Sequence, residues 1–398
     1  MTRGARISLT VARETTAFAM TVVVCACGAM DRGDYRLSTV DERLSVESPV
    51  LSVRWTFSLI TDFAGAYLPV ENAAAALDPN SGKLFVGSTA GDLLALTQEG
   101  GELYRFAVGS AIESTPVLDP GADELYFGTT GGELVALKAS AGTVRFRAAL
   151  DGPVRQKPLL SRDTVYAVTD TDTVSAFARK DGEVLWRFRR EVSEQFNISG
   201  HAGLGKVNGK LFTGLSDGTV VALDSSDGRL LWERDTSLDL EGEQKLRFSD
   251  VDTTPVPFEK QLLIASFSGG LYGLSVSSGA VLWRHAELTG VTAMARSGRL
   301  LVLSSAELGL VCMDLLEQRR IRWRRSLERG APGKPRIEGE TLFVGESEGG
   351  FMALSLHSGK EISRLEYGYG FSAPAALARG LGFVVSNGGT LLAFRYGH

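Results

Sequence analysis

A unit of about forty residues recurs along most of this chain, and it constrains the fold more than any other feature. Eight times a small residue stands directly before a large apolar one: Ala95-Leu96, Ala136-Leu137, Ala176-Phe177, Ala222-Leu223, Gly273-Leu274, Cys312-Met313, Ala353-Leu354 and Ala393-Phe394. The large residues are 41, 40, 46, 51, 39, 41 and 40 positions apart, a period that belongs to propeller blades rather than helical solenoids. Within a unit, short apolar and β-branched runs alternate with turn residues. Lys210–Gly214 is followed by Ser216-Asp217-Gly218, then Thr219–Leu223, then Ser225-Ser226-Asp227-Gly228, then Arg229–Trp232. With the strand that precedes them, these runs give four antiparallel strands, one blade. The expected fold is all-β: an eight-bladed β-propeller of four-stranded antiparallel blades.

Glycines and tryptophans keep time with the anchors. Gly101, Gly142, Gly182, Gly228, Gly279 and Gly359 each fall five residues after the large apolar residue, where a hairpin turn can require a positive φ. The sixth unit breaks that pattern, with Gln318 five residues after Met313 and Arg319 next to it. Trp186, Trp232 and Trp283 fall nine residues after the anchor and Trp323 ten, as one extra residue in the irregular sixth turn would produce. Regular spacing of this kind is what packing between blades demands. The last unit ends soon after Phe394 without an outer strand, and Ser52–Leu59, which carries the remaining Trp55, has the character to supply it. The N-terminal segment is therefore expected to complete the last blade and close the ring, removing open sheet edges.

The composition agrees with a large buried core. Of 398 residues, 44% are hydrophobic and 22% charged, and the net charge of −5 gives no basic footprint for nucleic acid. Three cysteines and four scattered histidines form no zinc or redox spacing. At the N-terminus, Arg3, Arg6 and Arg13 precede an apolar run from Ala17 to Ala26, which fits a secretory leader and is too short to span a bilayer. The run ends in Val24-Cys25-Ala26-Cys27-Gly28, similar to a bacterial lipobox with Cys27 as the lipidated residue. Cys25 fits less well because bulky Val24 would precede it. The expected organisation is a lipoprotein signal peptide over 1–26, a flexible tether over 27–49 and the propeller over 50–398.

The pattern Ala-Leu-Asp-x-x-x-Gly-x-x-x-Trp, complete from Ala222 to Trp232, resembles the repeat of pyrroloquinoline-quinone-type eight-bladed propellers from about Val53 to the C-terminus. Such a resemblance implies fold rather than activity. Ser249-Asp250-Val251-Asp252-Thr253-Thr254-Pro255-Val256 is more specific and resembles the corresponding stretch of the BamB family of propeller lipoproteins. Phe196-Asn197-Ile198-Ser199-Gly200 sits where that family has an apolar-polar-apolar stretch followed by Arg; here Ser199 takes the Arg position. The resemblance implies a non-catalytic scaffold without a cofactor, lipid-anchored at the periplasmic face of the outer membrane. Its partners would be the POTRA repeats of BamA and other subunits of the β-barrel assembly machinery. The implied partner-binding residues are Asp250, Asp252, Phe196, Ile198 and Ser199. For the two aspartates a turn-capping role is the plain alternative.

Two other classes stay open. One is a scaffold of another envelope complex. The other is a quinone-dependent dehydrogenase, against which stands the lack of an adjacent cysteine pair. Asp170-Thr171-Asp172 lacks the downstream carboxylates of a calcium loop, and no metal site is expected. The run Arg319-Arg320-Ile321-Arg322-Trp323-Arg324-Arg325 reads as a solvated blade rim, or as a contact for lipid head groups or a partner.

Overall fold

Thirty-two strands, numbered β1 to β32 in chain order, form eight four-stranded sheets among the described residues. The structure, a computed structural model, describes residues 51–60, 72–190, 202–240 and 250–397. The leader, the tether, Cys27, Phe196, Ile198 and Ser199 lie outside the described residues. Within each of the first seven sheets the strands follow in chain order from the channel outward, as in the fourth blade: β14 (Gly205–Val207), β15 (Lys210–Gly214), β16 (Thr219–Asp224) and β17 (Leu230–Asp235). The two middle strands are buried along most of their length because neighbouring blades cover both faces. That double covering explains why they read as continuous apolar runs instead of alternating ones. Outer strands alternate, as β9 (Val144–Ala149) does by burying Phe146 and Ala148 between exposed residues.

The small anchor residue has a definite job. Ala222 pairs with Phe212 on one side and Trp232 on the other, and the register then shifts so that Leu223 pairs with Leu230. The outer strand thus carries one extra residue, a β-bulge that turns the Trp across its neighbour. The same shift follows the anchor in each of the other blades with a consecutive outer strand. In the fifth blade the ring approaches so closely that a Cβ on Gly273 would lie 2.2 Å from Trp283.

The aromatic side chain then ties its blade to the next one. Trp186 Nε1 donates to the carbonyl of Ser225 at 3.3 Å, Trp232 to Val276 at 3.2 Å, Trp323 to Leu356 at 2.8 Å, and the Tyr104 hydroxyl to Ala139 at 2.9 Å. Each acceptor lies in the outer hairpin of the following blade. There the turn glycine leaves room for the ring: Gly359 has a φ of 68°, and a Cβ on it would come within 2.7 Å of Trp323. The expected positive φ is found at Gly142, Gly182, Gly228, Gly279 and Gly359, but in the first blade it falls on Gly100 rather than Gly101. There the Thr97 hydroxyl accepts from the Gly101 N–H, and the turn sits one residue earlier. The irregular sixth turn has Gln318 and Arg319 at φ of 49° and 56°. Trp283, whose acceptor should lie there, donates instead to Gln261 Oε1 of its own blade at 2.6 Å, with the Arg319 guanidinium over its ring.

The ring closes as the sequence implies. β1 (Leu51–Ser58) pairs antiparallel with β32 (Thr390–Tyr396), outside β31 (Leu381–Val385) and β30 (Ala376–Ala378). Trp55 stands opposite Ala393 with the same bulge, between Val53 and Trp55. Trp55, Phe57, Phe383 and Leu391 of the last blade pack with Leu84, Val86, Leu94 and Leu96 of the first in one buried cluster.

Connectivity sorts the loops onto two faces. The hairpins between first and second strands, and between third and fourth, share one face. The opposite face carries the second-to-third hairpins and every connection from an outer strand to the next inner strand. The three long connections, 59–75, 190–204 and 236–255, all begin and end on that opposite face, and the last two flank the fourth blade.

Candidate functional site

Each inner strand is entered through a short lead-in, and two lead-ins are nearly copies: Ile112-Glu113-Ser114-Thr115-Pro116-Val117 and Val251-Asp252-Thr253-Thr254-Pro255-Val256. Their odd positions are structural. Ile112 and Val251 are buried over Gly87 and Gly214, where a Cβ would lie 2.3 Å away. The Ser114 hydroxyl donates to the Gly128 carbonyl at 2.9 Å and accepts its N–H at 2.7 Å. Thr253 does the same with Ala265, at 3.1 and 2.8 Å. The stretch that looked specific in the sequence is therefore partly one copy of a repeated device, a signal available from the two Thr-Pro dipeptides in the same register.

This geometry separates the two aspartates. Asp250 is 4% exposed, and its carbonyl accepts the Phe267 N–H at 3.0 Å. Asp252 is half-buried and lines the central cavity together with Glu113, Arg155 and Asp170. The segment carrying Phe196, Ile198 and Ser199 lies outside the described residues; it belongs to the connection on the other side of the fourth blade, and both connections begin and end on one face.

The cavity runs along the ring axis, about 1240 Å³ in volume, lined by the lead-ins and inner strands. Arg155 bridges two of its carboxylates, Glu113 and Asp170, the latter at 2.7 Å. The paired carboxylates raise the Arg155 pKa despite the opposing cost of burial. Asp172 spends its carboxylate on the Ser216 hydroxyl and N–H. Among the described residues no group of three His, Cys, Asp or Glu is placed to hold a metal ion.

Away from the cavity, the arginine run of the sixth blade is largely engaged with the protein's own carboxylates. Arg322 binds Asp314 at 2.7 Å and Glu317 at 3.0 Å, and Arg325 binds Glu361 at 2.5 Å. Cys312, in an anchor position, is fully buried, and burial pushes its thiol up to about 12, which makes it a packing residue and not a nucleophile.

A closed ring of eight such blades with an axial cavity is the architecture of the pyrroloquinoline-quinone-type propellers. A family model described as "Outer membrane protein assembly factor BamB" matches residues 120–322, just over half of the chain, and the chain belongs to that family. It is 27% identical over 242 residues to the outer membrane protein assembly factor BamB of Vibrio cholerae, covering 60% of this chain and 62% of that protein. With the BamB of Shewanella oneidensis it shares 22% over 228 residues, 57% of each chain. The chain thus spans about three fifths of the length of the curated relatives it matches. The crystal structure of BamB from Moraxella catarrhalis superposes with a TM-score of 0.73 at 20% identity, covering 87% of this chain and 100% of that one. The quinohemoprotein alcohol dehydrogenase of Comamonas testosteroni shares the fold at a TM-score of 0.67 and 13% identity, over 90% of this chain and 78% of that enzyme.

Proposed function

We propose that this chain is a non-catalytic scaffold of the outer-membrane β-barrel assembly machinery, held at the periplasmic face of the outer membrane through lipid on Cys27. In this reading it docks the POTRA repeats of BamA and so assists insertion of outer-membrane proteins. The observation that supports the proposal is the family match over residues 120–322, together with a closed ring in which the connections on either side of the fourth blade begin and end on one face. Asp252 and the connection that carries Phe196, Ile198 and Ser199 flank the fourth blade along the chain, and in this reading a partner meets their acidic and apolar groups together. Asp250 is buried and its carbonyl accepts the Phe267 N–H, while Asp252 is half-buried at the cavity wall.

Copurification with BamA from envelope membranes tests this. Asp252→Arg combined with Phe196→Ala and Ile198→Ala should abolish recovery of BamA, and Cys27→Ser should move the protein from the membrane to the periplasmic fraction. Intact BamA recovery with the triple variant overturns the patch, and membrane retention of Cys27→Ser overturns the anchor.

A further inference from the structure

The lead-ins place equivalent residues at equal depth in the channel, and one level stands out. Leu159 of β10 (Leu159–Leu160) pairs with Tyr166, which pairs with the anchor Ala176; Arg336 of β26 (Arg336–Glu338) pairs with Phe343, which pairs with the anchor Ala353. Lys157 and Lys334 each lie two residues before those positions, so they sit at one depth. They belong to the third and seventh blades, four apart in a ring of eight, and therefore face each other across the channel. Thr115 and Thr254 occupy the same depth in the second and fifth blades.

The hydroxyls are oriented by their neighbours. Thr115 Oγ1 accepts the Ala74 N–H at 3.0 Å, and Thr254 Oγ1 accepts the Gly203 N–H at 3.1 Å. A hydroxyl with a lone pair so occupied keeps its own proton to donate. Neither Lys157 nor Lys334 makes a side-chain hydrogen bond or ion pair among the described residues, nor does Arg336 one step along the channel. The nearby carboxylates Glu113 and Asp170 are held by Arg155, and Asp252 is also engaged. All three cations line the same cavity, with Lys157 and Arg336 exposed to it and Lys334 half-buried; the crowding of protein around Lys157 and then the Arg336 charge depress the Lys157 pKa, while burial depresses that of Lys334 against a smaller opposing pull from Glu113. Like charges lining one cavity repel one another, and an anion bound among them relieves that repulsion.

We propose that this level of the channel binds a small polyvalent oxyanion, a carboxylate or phosphate compound, held from opposite sides by Lys157 and Lys334 and hydrogen-bonded by the Thr115 and Thr254 hydroxyls. The cavity exceeds the roughly 300–1,000 Å³ of ordinary small-molecule sites, so the ligand enters without rearrangement of the ring. The readout of this site involves no second protein.

Isothermal titration calorimetry of the purified protein at low ionic strength, with citrate and with inorganic pyrophosphate, tests it. Saturable one-to-one binding of either is expected, weakened at least about tenfold in Lys157→Gln/Lys334→Gln. Lys157→Arg/Lys334→Arg should bind within a few-fold of the native chain, and Lys180→Gln, an exposed lysine in an outer hairpin, should be unchanged. Citrate alone binding assigns a carboxylate ligand, pyrophosphate alone a phosphate ligand, and both the shared chemistry. Binding of neither anion, equal binding by the double glutamine variant, or an equal loss in Lys180→Gln overturns the proposal. The single variants Lys157→Gln and Lys334→Gln, each expected to weaken binding and to leave tryptophan fluorescence native, keep the result readable if the double variant folds poorly.

Discussion

The indole N–H of Trp55 donates to the carbonyl of Gln98 at 3.0 Å, tying the strand that completes the last blade to the outer hairpin of the first. Every structural role of the ring closure meets in that residue. It covers Ala393, packs on Phe383 at 5.9 Å between ring centroids, and bridges to the adjoining blade. Trp55→Ala should therefore destabilise the protein by about 3–5 kcal/mol, the usual cost of emptying a large aromatic site. Trp55→Phe keeps most of the packing and gives up a hydrogen bond of about 1 kcal/mol. Urea unfolding midpoints should fall in that order. Deleting residues 51–58 should uncover the edge of β32, and size-exclusion chromatography should then show self-association.

The turn glycines are required twice over, once for backbone and once for space. Gly359→Ala meets both demands, a φ of 68° and the Trp323 ring 2.7 Å from the new Cβ. Gly298 has a φ of 54° and nothing within 4 Å, so Gly298→Ala meets only the backbone cost of about 1–2 kcal/mol. Denaturation should show Gly359→Ala as clearly the more destabilised. Equal losses would mean that the indole moves aside without cost.

How far the sequence reveals such roles depends on how local they are. The anchor Ala222, the turn glycines and the outer Trp232 lie within one hairpin, so their spacing repeats and can be read directly. Trp55 was legible because a missing strand at one end matched a surplus strand at the other. The swap of the Trp283 acceptor to Gln261 was not, since it arises from the altered turn of a different blade. The Asp250–Val256 segment shows the opposite error. It looked singular until Thr253 proved to repeat the backbone bonding of Ser114. The facing of Lys157 and Lys334 is created only when the ring closes, and no local pattern carries it.

Cys312 offers a check on burial. Its thiol is fully enclosed, lies 3.7 Å from the Leu356 carbonyl, and is pushed up to about 12 by burial. Little thiolate is then present at pH 8, and reagents cannot reach it. Peptide mapping after iodoacetamide treatment should find the Cys312 peptide unmodified in the native protein and fully modified in urea. Rapid labelling of the native chain would show that the sixth blade opens.

Acid stability should depend in part on Asp314, whose side chain is fully buried between Arg299 and Arg322. Burial opposes its ionisation, but the hydrogen bond from Arg322 and the N–H groups of Glu317 and Leu316 outweigh it, holding the carboxyl below its ordinary value of 3.8. A carboxyl with a depressed folded pKa binds its proton more readily in the unfolded chain, so acid favours unfolding. Its contribution is fully present above pH 3.8 and is lost as the pH falls through the lower folded value. Asp314→Asn should be less stable than the native chain at neutral pH, because it removes the buried charge that Arg299 and Arg322 share and leaves Arg322 only the more exposed Glu317. Below pH 3.8 the two proteins should converge, as the native chain loses what the variant never had. Urea midpoints measured from pH 7 down to about 3 give the comparison, and parallel curves over that range would show that Asp314 contributes nothing through its charge.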